Sequence, residues 1–345
     1  MKISNVTTGV GDYEQVASCK NDEADYLSFI AIHSTVLGPA LGGTRFWRYE
    51  SDAEAIEDVL RLARGMTYKN ALAGIPFGGG KAIVLARNGA TNREALFRAH
   101  GRFVETFRGK YVTAEDVGMG TSDMEYVRME TRHVAGLEGQ SGDPSPGTAK
   151  GVFRAMAAAA KKRWGSEELT GRRVAIQGCG HVGYYLASYL DRAGAVLFVS
   201  DIYPDKVQRI VNEFHATAVS PDEIHSTQAD IFAPCALGGS LNDLTVPQLK
   251  AEIVVGAANN QLLEDRHGDA VGERGILYVP DYAANAGGVI NLCRELLGWE
   301  ASHAALKVDN IYTTVTNIFR IADAKGISTH TAADRLAEEQ LGART

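Results

Sequence analysis

Residues 173–183 read RVAIQGCGHVG, a short apolar strand running into Gly178, Cys179, Gly180, His181, Val182 and Gly183. GxGxxG spacing alone is a weak signal in a chain with 37 glycines. Its setting strengthens it. A helical segment follows, and the next apolar run, AVLFVS, ends in Asp201, 18 positions after Gly183 and near the roughly 20 expected of a dinucleotide-binding unit. Gly178 permits the tight turn, Gly180 lets backbone approach a pyrophosphate, and Gly183 allows close packing of helix on strand. The helix N-terminus supplies free N–H groups and a positive dipole end. Asp201 can accept from both ribose hydroxyls and repels a 2′-phosphate, which favours NAD over NADP. His181 reads as a loop residue on the solvent side.

Outward from this motif, RVAIQ, AVLFVS, ADIFAP, EIVVGA and ILYVP alternate with helical or loop segments. That βαβα alternation is the mark of a parallel sheet covered by helices on both faces. Upstream, residues 139–147, GQSGDPSPG, read as a hinge. Thr148 reads as the N-cap of the helix AKGVFRAMAAAAKKRW. In the N-terminal third, 27–33 (LSFIAIH) and 82–86 (AIVLA) read as buried strands. Between them Ser51 and Glu54 form a capping box for a helix with Ile56, Val59, Leu60 and Ala63 on one face. A further helix is expected over 92–108, and 303–324 and 331–341 are helical again. The fold class is therefore α/β: a doubly wound Rossmann domain over 148–320 and a separate α/β domain over 1–140.

Composition narrows the partners. A chain of 345 residues suggests two domains at roughly 150 residues each. Lys plus Arg is 35 against 42 for Asp plus Glu, a net charge of −7. That sign argues against nucleic acid or an anionic membrane as partner. The four cysteines show no CxxC spacing. They give neither a zinc site nor a disulfide framework, and no other metal site is expected, so a reducing cytoplasm is the expected compartment. The start, MKISNVTTGVGDYEQ, lacks the apolar core of a secretion signal, and no long apolar run follows.

Lys69, in GMTYKNA, and Lys81, in PFGGGKAIV, are candidate chemical groups. The second is not a Walker A loop, because Ile75 and Ala82 occupy positions that need Gly and Ser or Thr. Read from the residues alone, Lys81 is either a solvent-facing lysine or an amine desolvated by the apolar run beside it. In the second case its pKa falls and it becomes a general base near neutral pH. Asp116, in TAEDVG, is by itself either a loop carboxylate or an acid–base group.

The blocks LGPALGGTRFWRY (37–49), RLARGMTYKNA (61–71), GGGKAIV (78–84), TAEDVG (113–118), APCALGG (233–239), GAANNQL (256–262) and PDYAANAGGVIN (280–291) together resemble the amino-acid dehydrogenase superfamily. The resemblance is to its leucine, valine and phenylalanine dehydrogenase branch, and it runs over nearly the whole chain. It implies NAD-dependent, reversible oxidative deamination of an L-amino acid to a 2-oxo acid and ammonia. Under it Lys81 resembles the catalytic lysine that activates water, and Asp116 the partner that moves protons at the substrate nitrogen. Lys69 resembles the lysine that pairs the substrate carboxylate, helped by Asn260 and the backbone near Gly42 and Gly43. Thr148 and the APCALGG loop, including Ala236 and Leu237, would lie beside the nicotinamide with Asn260. Leu41, Ala114, Val289 and Leu292 resemble the side-chain pocket.

That pocket is apolar, so a glutamate side chain would leave an unpaired buried carboxylate at a cost of several kcal/mol. Leucine, valine or isoleucine is the expected substrate, with phenylalanine or tryptophan as the alternative. Leu292 is bulkier than the valine usual in leucine-type members. A dinucleotide-binding sensor without turnover is the alternative of another class, against which Lys81 and Asp116 both stand. The resemblance further implies a homo-oligomer, a cleft between the domains that closes to exclude water, and a C-terminal tail, 325–345, returning to the first domain.

Overall fold

The computed structural model describes residues 1–6, 11–87, 92–137 and 139–342. Its contacts group the chain into two units. The first gathers Met1–Asp143, Leu292–Trp299 and the segment from Ala337 onward; the second gathers Pro144–Asn291 and Glu300–Leu336.

The first unit contains β1 (Lys2–Asn5), β2 (Gln15–Asn21), β3 (Tyr26–Ser34), β4 (Ala40–Leu41), β5 (Thr44–Trp47), α1 (Asp52–Leu72), β6 (Gly78–Leu85), α2 (Arg93–Glu105), β7 (Tyr111–Val112) and α3 (Thr121–Arg128). Their seven-stranded sheet runs β1-β2-β3-β6-β4-β7, with β5 also on β6. Side chains alternate across it with period two. Leu27, Phe29, Ala31, Ile83 and Leu85 meet Ala55, Val59 and Ala63 of α1. Ile30, Ile32, Ala82 and Val84 meet Leu96, Phe97 and Phe103 of α2. Each large side chain so buried contributes about 1.5–3 kcal/mol.

The glycines before Lys81 belong to β6 itself, so that strand starts earlier than the apolar run suggests. Gly79 explains why: a Cβ there would stand 2.0 Å from the Thr67 backbone nitrogen of α1. The Ser51 Oγ accepts from Glu54 N as the capping pattern requires, but the Glu54 carboxylate bonds the N–H of Glu50.

The second unit holds α4 (Ser145–Trp164), β8 (Arg173–Gln177), α5 (His181–Arg192), β9 (Val196–Ser200), α6 (Pro204–Phe214), β10 (Thr217–Ala218), β11 (Ile231–Pro234), β12 (Ile253–Val254), α7 (Arg266–Glu273), β13 (Leu277–Tyr278) and α8 (Asp281–Ala284). The remaining helices are α9 (Gly287–Leu297), α10 (Ala301–Asp309), α11 (Ile311–Lys325) and α12 (Thr329–Gly342). Every strand pair is parallel, in the order β10-β9-β8-β11-β12-β13. In chain order this is the 3-2-1-4-5-6 arrangement of a Rossmann sheet, whose direction reverses between β8 and β11.

Thr148 is not an N-cap. The helix begins three residues earlier, because Pro144 and Pro146 hold helical φ and lack the N–H groups a first turn leaves unused. Thr148 Oγ1 instead donates back to Pro144 O at 3.0 Å. The stretch 303–324 is two helices meeting at Asn310. The C-terminal helix α12 divides, with residues up to Leu336 in the second unit and Ala337 onward in the first. Among the described residues no helix is long and apolar enough to cross a membrane.

Candidate active site

Parallel pairing of β5 with β6 sets the first cluster. Arg45 lies opposite Ile83, two residues beyond Lys81, so both cations rise from the sheet face that α1 covers. The 113–117 loop is stitched to the other edge of β5, through Thr44 N to Ala114 O (2.8 Å) and Phe46 N to Val117 O (2.9 Å). That stitching carries Asp116 to Lys81. Its Oδ2 lies 3.0 Å from Lys81 Nζ and 3.2 Å from Arg45 Nε. Gly43 is required here, since a Cβ would stand 2.9 Å from Asp116 Cβ.

Lys81 is only 3% exposed. Burial pushes its ammonium below the usual lysine range, Arg45 adds to this, and Asp116 opposes it. For Asp116 burial alone would raise the carboxyl, but Lys81 and Arg45 overcome it and hold it at about 2. The pair therefore presents an ionised carboxylate beside an amine whose proton is loosely held. Lys69 is also buried, near the C-terminal end of α1. The next residue, Asn70, donates to Gly78 O at 2.6 Å and to Leu41 O at 3.3 Å, tying β4 and β6 beneath the glycines.

Gly42 sits against β6, where a Cβ would be 1.8 Å from Gly80 O. Its N–H donates to Val112 O at 3.2 Å and its carbonyl accepts from the Tyr111 hydroxyl at 2.6 Å, so its backbone is committed to the sheet. Of the four expected pocket residues, Ala114 and Leu292 share one small apolar cluster with Ala135 and Leu296. Leu41 is buried on β4 outside that cluster, and Val289 belongs to the second unit. The Glu295 carboxylate accepts from Gly136 N at 2.9 Å and Ser141 Oγ at 2.8 Å, fixing the loop that carries Ala135.

In the second unit the motifs collect at the carboxyl ends of the parallel strands, where such sheets bind ligands. Gly178 follows β8 with φ +105°, and a Cβ on it would press within 2.7 Å of Cys235 and Ala236 backbone atoms. Gly183 opens α5 against the Gly178 carbonyl, 2.0 Å from where a Cβ would stand. Gly180 differs: a Cβ would meet no protein atom within 4 Å. Its missing side chain leaves room for something other than protein. His181 is exposed at the head of α5 and Val182 is half-buried. Asp201 Oδ2 accepts from Cys179 N at 2.7 Å and Oδ1 from Tyr203 N at 3.0 Å. Each oxygen keeps a lone pair for a hydroxyl donor. Burial pushes the Cys179 and Cys235 thiols up to about 12, so both are neutral.

Ala236 and Leu237 are exposed beyond β11, at the strand-order reversal. The 233–239 loop leans on the segment after β12: Gly239 N donates to Asn260 O at 2.7 Å, with Asn260 itself at φ +52°. Asn285 supports that segment by donating to Asn259 Oδ1 (2.9 Å) and Ala257 O (3.0 Å). Sequence reasoning passed over Arg45, Asn70, Ala135, Glu295, Leu296 and Asn285. Arg45, Asn70 and Asn285 lie inside the blocks that carry the resemblance, but no spacing within those blocks marks them. Thr148 stands in the first turn of α4.

Comparison with known proteins shows the family. The model for "Glu/Leu/Phe/Val dehydrogenase, dimerisation domain" matches residues 15–133, and that for "Glutamate/Leucine/Phenylalanine/Valine dehydrogenase" matches 139–341. A leucine dehydrogenase of Geobacillus stearothermophilus is 52% identical over 333 residues, covering 96% of this chain and 91% of the relative. A phenylalanine dehydrogenase of Lysinibacillus sphaericus is 44% identical over 350 residues, covering 99% and 92%. The crystal structure of L-tryptophan dehydrogenase from Nostoc punctiforme superposes with a TM-score of 0.82 at 45% identity, covering 96% of this chain and 97% of that one.

Proposed function

The chain belongs to the glutamate/leucine/phenylalanine/valine dehydrogenase family and is an amino-acid dehydrogenase, and from that premise we propose that it deaminates leucine, valine or isoleucine with NAD. The products are the 2-oxo acid, ammonia, NADH and a proton, and the reaction runs in both directions. The buried Lys81–Asp116 pair, 3.0 Å apart, carries this reading.

A zwitterionic substrate needs a cation for its carboxylate and an acceptor for its ammonium proton. Lys69 supplies the first and Asp116, ionised throughout the neutral range, the second. NAD, when bound, would supply the acceptor for the α-hydrogen as hydride. Lys81, with its proton loosened by burial, then takes a proton from the water that attacks the imine carbon of the substrate. Gly178–Gly183, Asp201, Thr148, Ala236, Leu237 and Asn260 are the residues that would hold the dinucleotide. The open space at Gly180 and the spare acceptors of Asp201 suit its pyrophosphate and ribose. Assembly as a homo-oligomer belongs to the same reading, supported by the dimerisation-domain match. The four free cysteines suit a reducing cytoplasm.

The aliphatic preference rests on the apolar Ala114, Ala135, Leu292 and Leu296 cluster. The similarity to phenylalanine and tryptophan dehydrogenases keeps an aromatic substrate as the second reading. Formation of reduced nicotinamide, followed by its absorbance with a panel of L-amino acids, is the test. We expect leucine, valine and isoleucine to have the highest kcat/KM and glutamate and lysine to be poor. One methylene is worth about 1–3 kcal/mol, so differences among the aliphatics will be modest. A roughly tenfold preference for phenylalanine or tryptophan (about 1.4 kcal/mol) would overturn the aliphatic assignment.

A further inference from the structure

Two cations grip Asp116 through one oxygen. Lys81 Nζ and Arg45 Nε both address Oδ2, and no hydrogen bond reaches Oδ1 among the described residues. Arg45 is held at its far end as well. Its Nη1 donates to Asp58 Oδ2 at 3.0 Å, and the Tyr49 hydroxyl donates to the same oxygen at 2.6 Å. Asp58 comes from α1, which covers the face where Arg45 and Lys81 emerge. A guanidinium directs N–H groups to two carboxylates in fixed directions, which an ammonium cannot reproduce. The Asp116 side chain, 13% exposed, is left with one oxygen to offer.

Taking the deamination above as the reaction, we propose that Arg45 is its positioning residue: anchored by Asp58, it fixes which oxygen of Asp116 is presented to the substrate nitrogen. It touches no reacting atom and acts through Asp116 and Lys81. Lys81 from β6, Arg45 from β5 and, at longer range, Tyr111 from β7 all face Asp116. Lys81 in turn feels Asp116, Arg45 and Asp58. Arg45 drives the Lys81 proton off and Asp58 holds it on. Removing one or the other therefore moves Lys81 in opposite directions. Lys81 must be neutral to act as a base, so the acid limb of kcat reports on it.

The test uses the full-length protein, with kcat and KM for leucine and NAD measured across the pH range in which the rate rises. Wild-type turnover is measured first; its absence with every apolar L-amino acid overturns the deamination reading and this proposal with it. In an active enzyme, Arg45→Gln should lower kcat about 10–100-fold, as expected for a misplaced group, with KM changed far less. Its acid limb should move to higher pH by about one unit. Asp58→Asn should move that limb to lower pH. Arg45→Lys keeps the charge and loses the two-point grip, so its limb should stay in place while kcat remains low. Coincident limbs in wild type, Arg45→Gln and Asp58→Asn overturn the proposal alone, as does wild-type kcat in Arg45→Lys. Should Arg45→Gln fail to fold, the lowered limb of Asp58→Asn and the low kcat with an unmoved limb of Arg45→Lys decide the question.

Discussion

Asp201 follows β9 with each carboxylate oxygen accepting from a backbone N–H, so its orientation is set by the fold itself. Ile202, beside it, is 75% exposed and packs against little. Exchange at these positions should change cofactor choice without disturbing the fold. Asp201→Ser combined with Ile202→Arg removes the repulsion of a 2′-phosphate and adds a cation for it. The ratio of kcat/KM for NADP to that for NAD should rise; an unchanged ratio would mean that Asp201 is not at the ribose. Asp201 could be singled out from sequence because the dinucleotide-binding pattern spaces its parts along one strand–helix–strand unit. The burial of Lys81 was one of the two readings its local setting allowed, three glycines before it and an apolar run after it. Arg45 could not be singled out in this way. Its place depends on which residue of β6 it pairs with and on a helix that starts after it, and no local spacing carries that information.

Apart from the start of α4, where prolines and not Thr148 set the boundary, element boundaries were legible where chemistry punctuates them and not where packing sets them. Ser51 and Asn92 cap α1 and α2 with side-chain oxygens. β6 extends back through Gly78–Gly80 because α1 packs there, and hydropathy is silent about three glycines. Paired substitutions on the two elements separate these effects. Gly79→Ala places a methyl 2.0 Å from Thr67 N, against helix backbone that cannot rotate away. It should cost about 1–3 kcal/mol or more. Gly65, within α1, has no atom within 4 Å of its would-be Cβ. Gly65→Ala should therefore stabilise by about 0.5–1 kcal/mol through helix propensity alone. Thermal midpoints moving in opposite directions would support this account, whereas a neutral Gly79→Ala would refute the close approach of α1 to β6.

At the scale of the whole molecule, acid stability should be governed by buried imidazole. His100 is fully buried between the Tyr26 hydroxyl (2.9 Å) and Thr44 Oγ1 (2.7 Å), and burial lowers its pKa from 6.5 to about 3. The unfolded chain takes up a proton that the folded chain rejects. The His100 contribution is therefore fully present above pH 6.5 and is lost toward about pH 3, by about 1.4 kcal/mol per pH unit. His33 and His225, also lowered by burial, act in the same direction. Asp116 adds its loss only at the bottom of the range, below its ordinary value of 3.8. Urea midpoints of wild type should fall steadily between those limits, and His100→Gln should lose most of that slope; an unchanged slope would exclude His100 as the cause.

The two-domain α/β architecture was legible in the alternation of apolar runs. The interleaving of segments was legible only in part: the return of the chain's end came from the family resemblance, and Leu292–Trp299 carries no local sign that it joins the first unit. That interleaving has a consequence for biosynthesis. A nascent chain emerging from the ribosome in order has the seven-stranded sheet early, yet the loop that carries Ala135 waits for Glu295, and Ala114 waits for Leu292 and Leu296. Those partners emerge only after the entire parallel sheet has been translated. Until then Ala114 and Ala135 lack Leu292 and Leu296, so the N-terminal unit is completed only after the second unit's sheet has been synthesised.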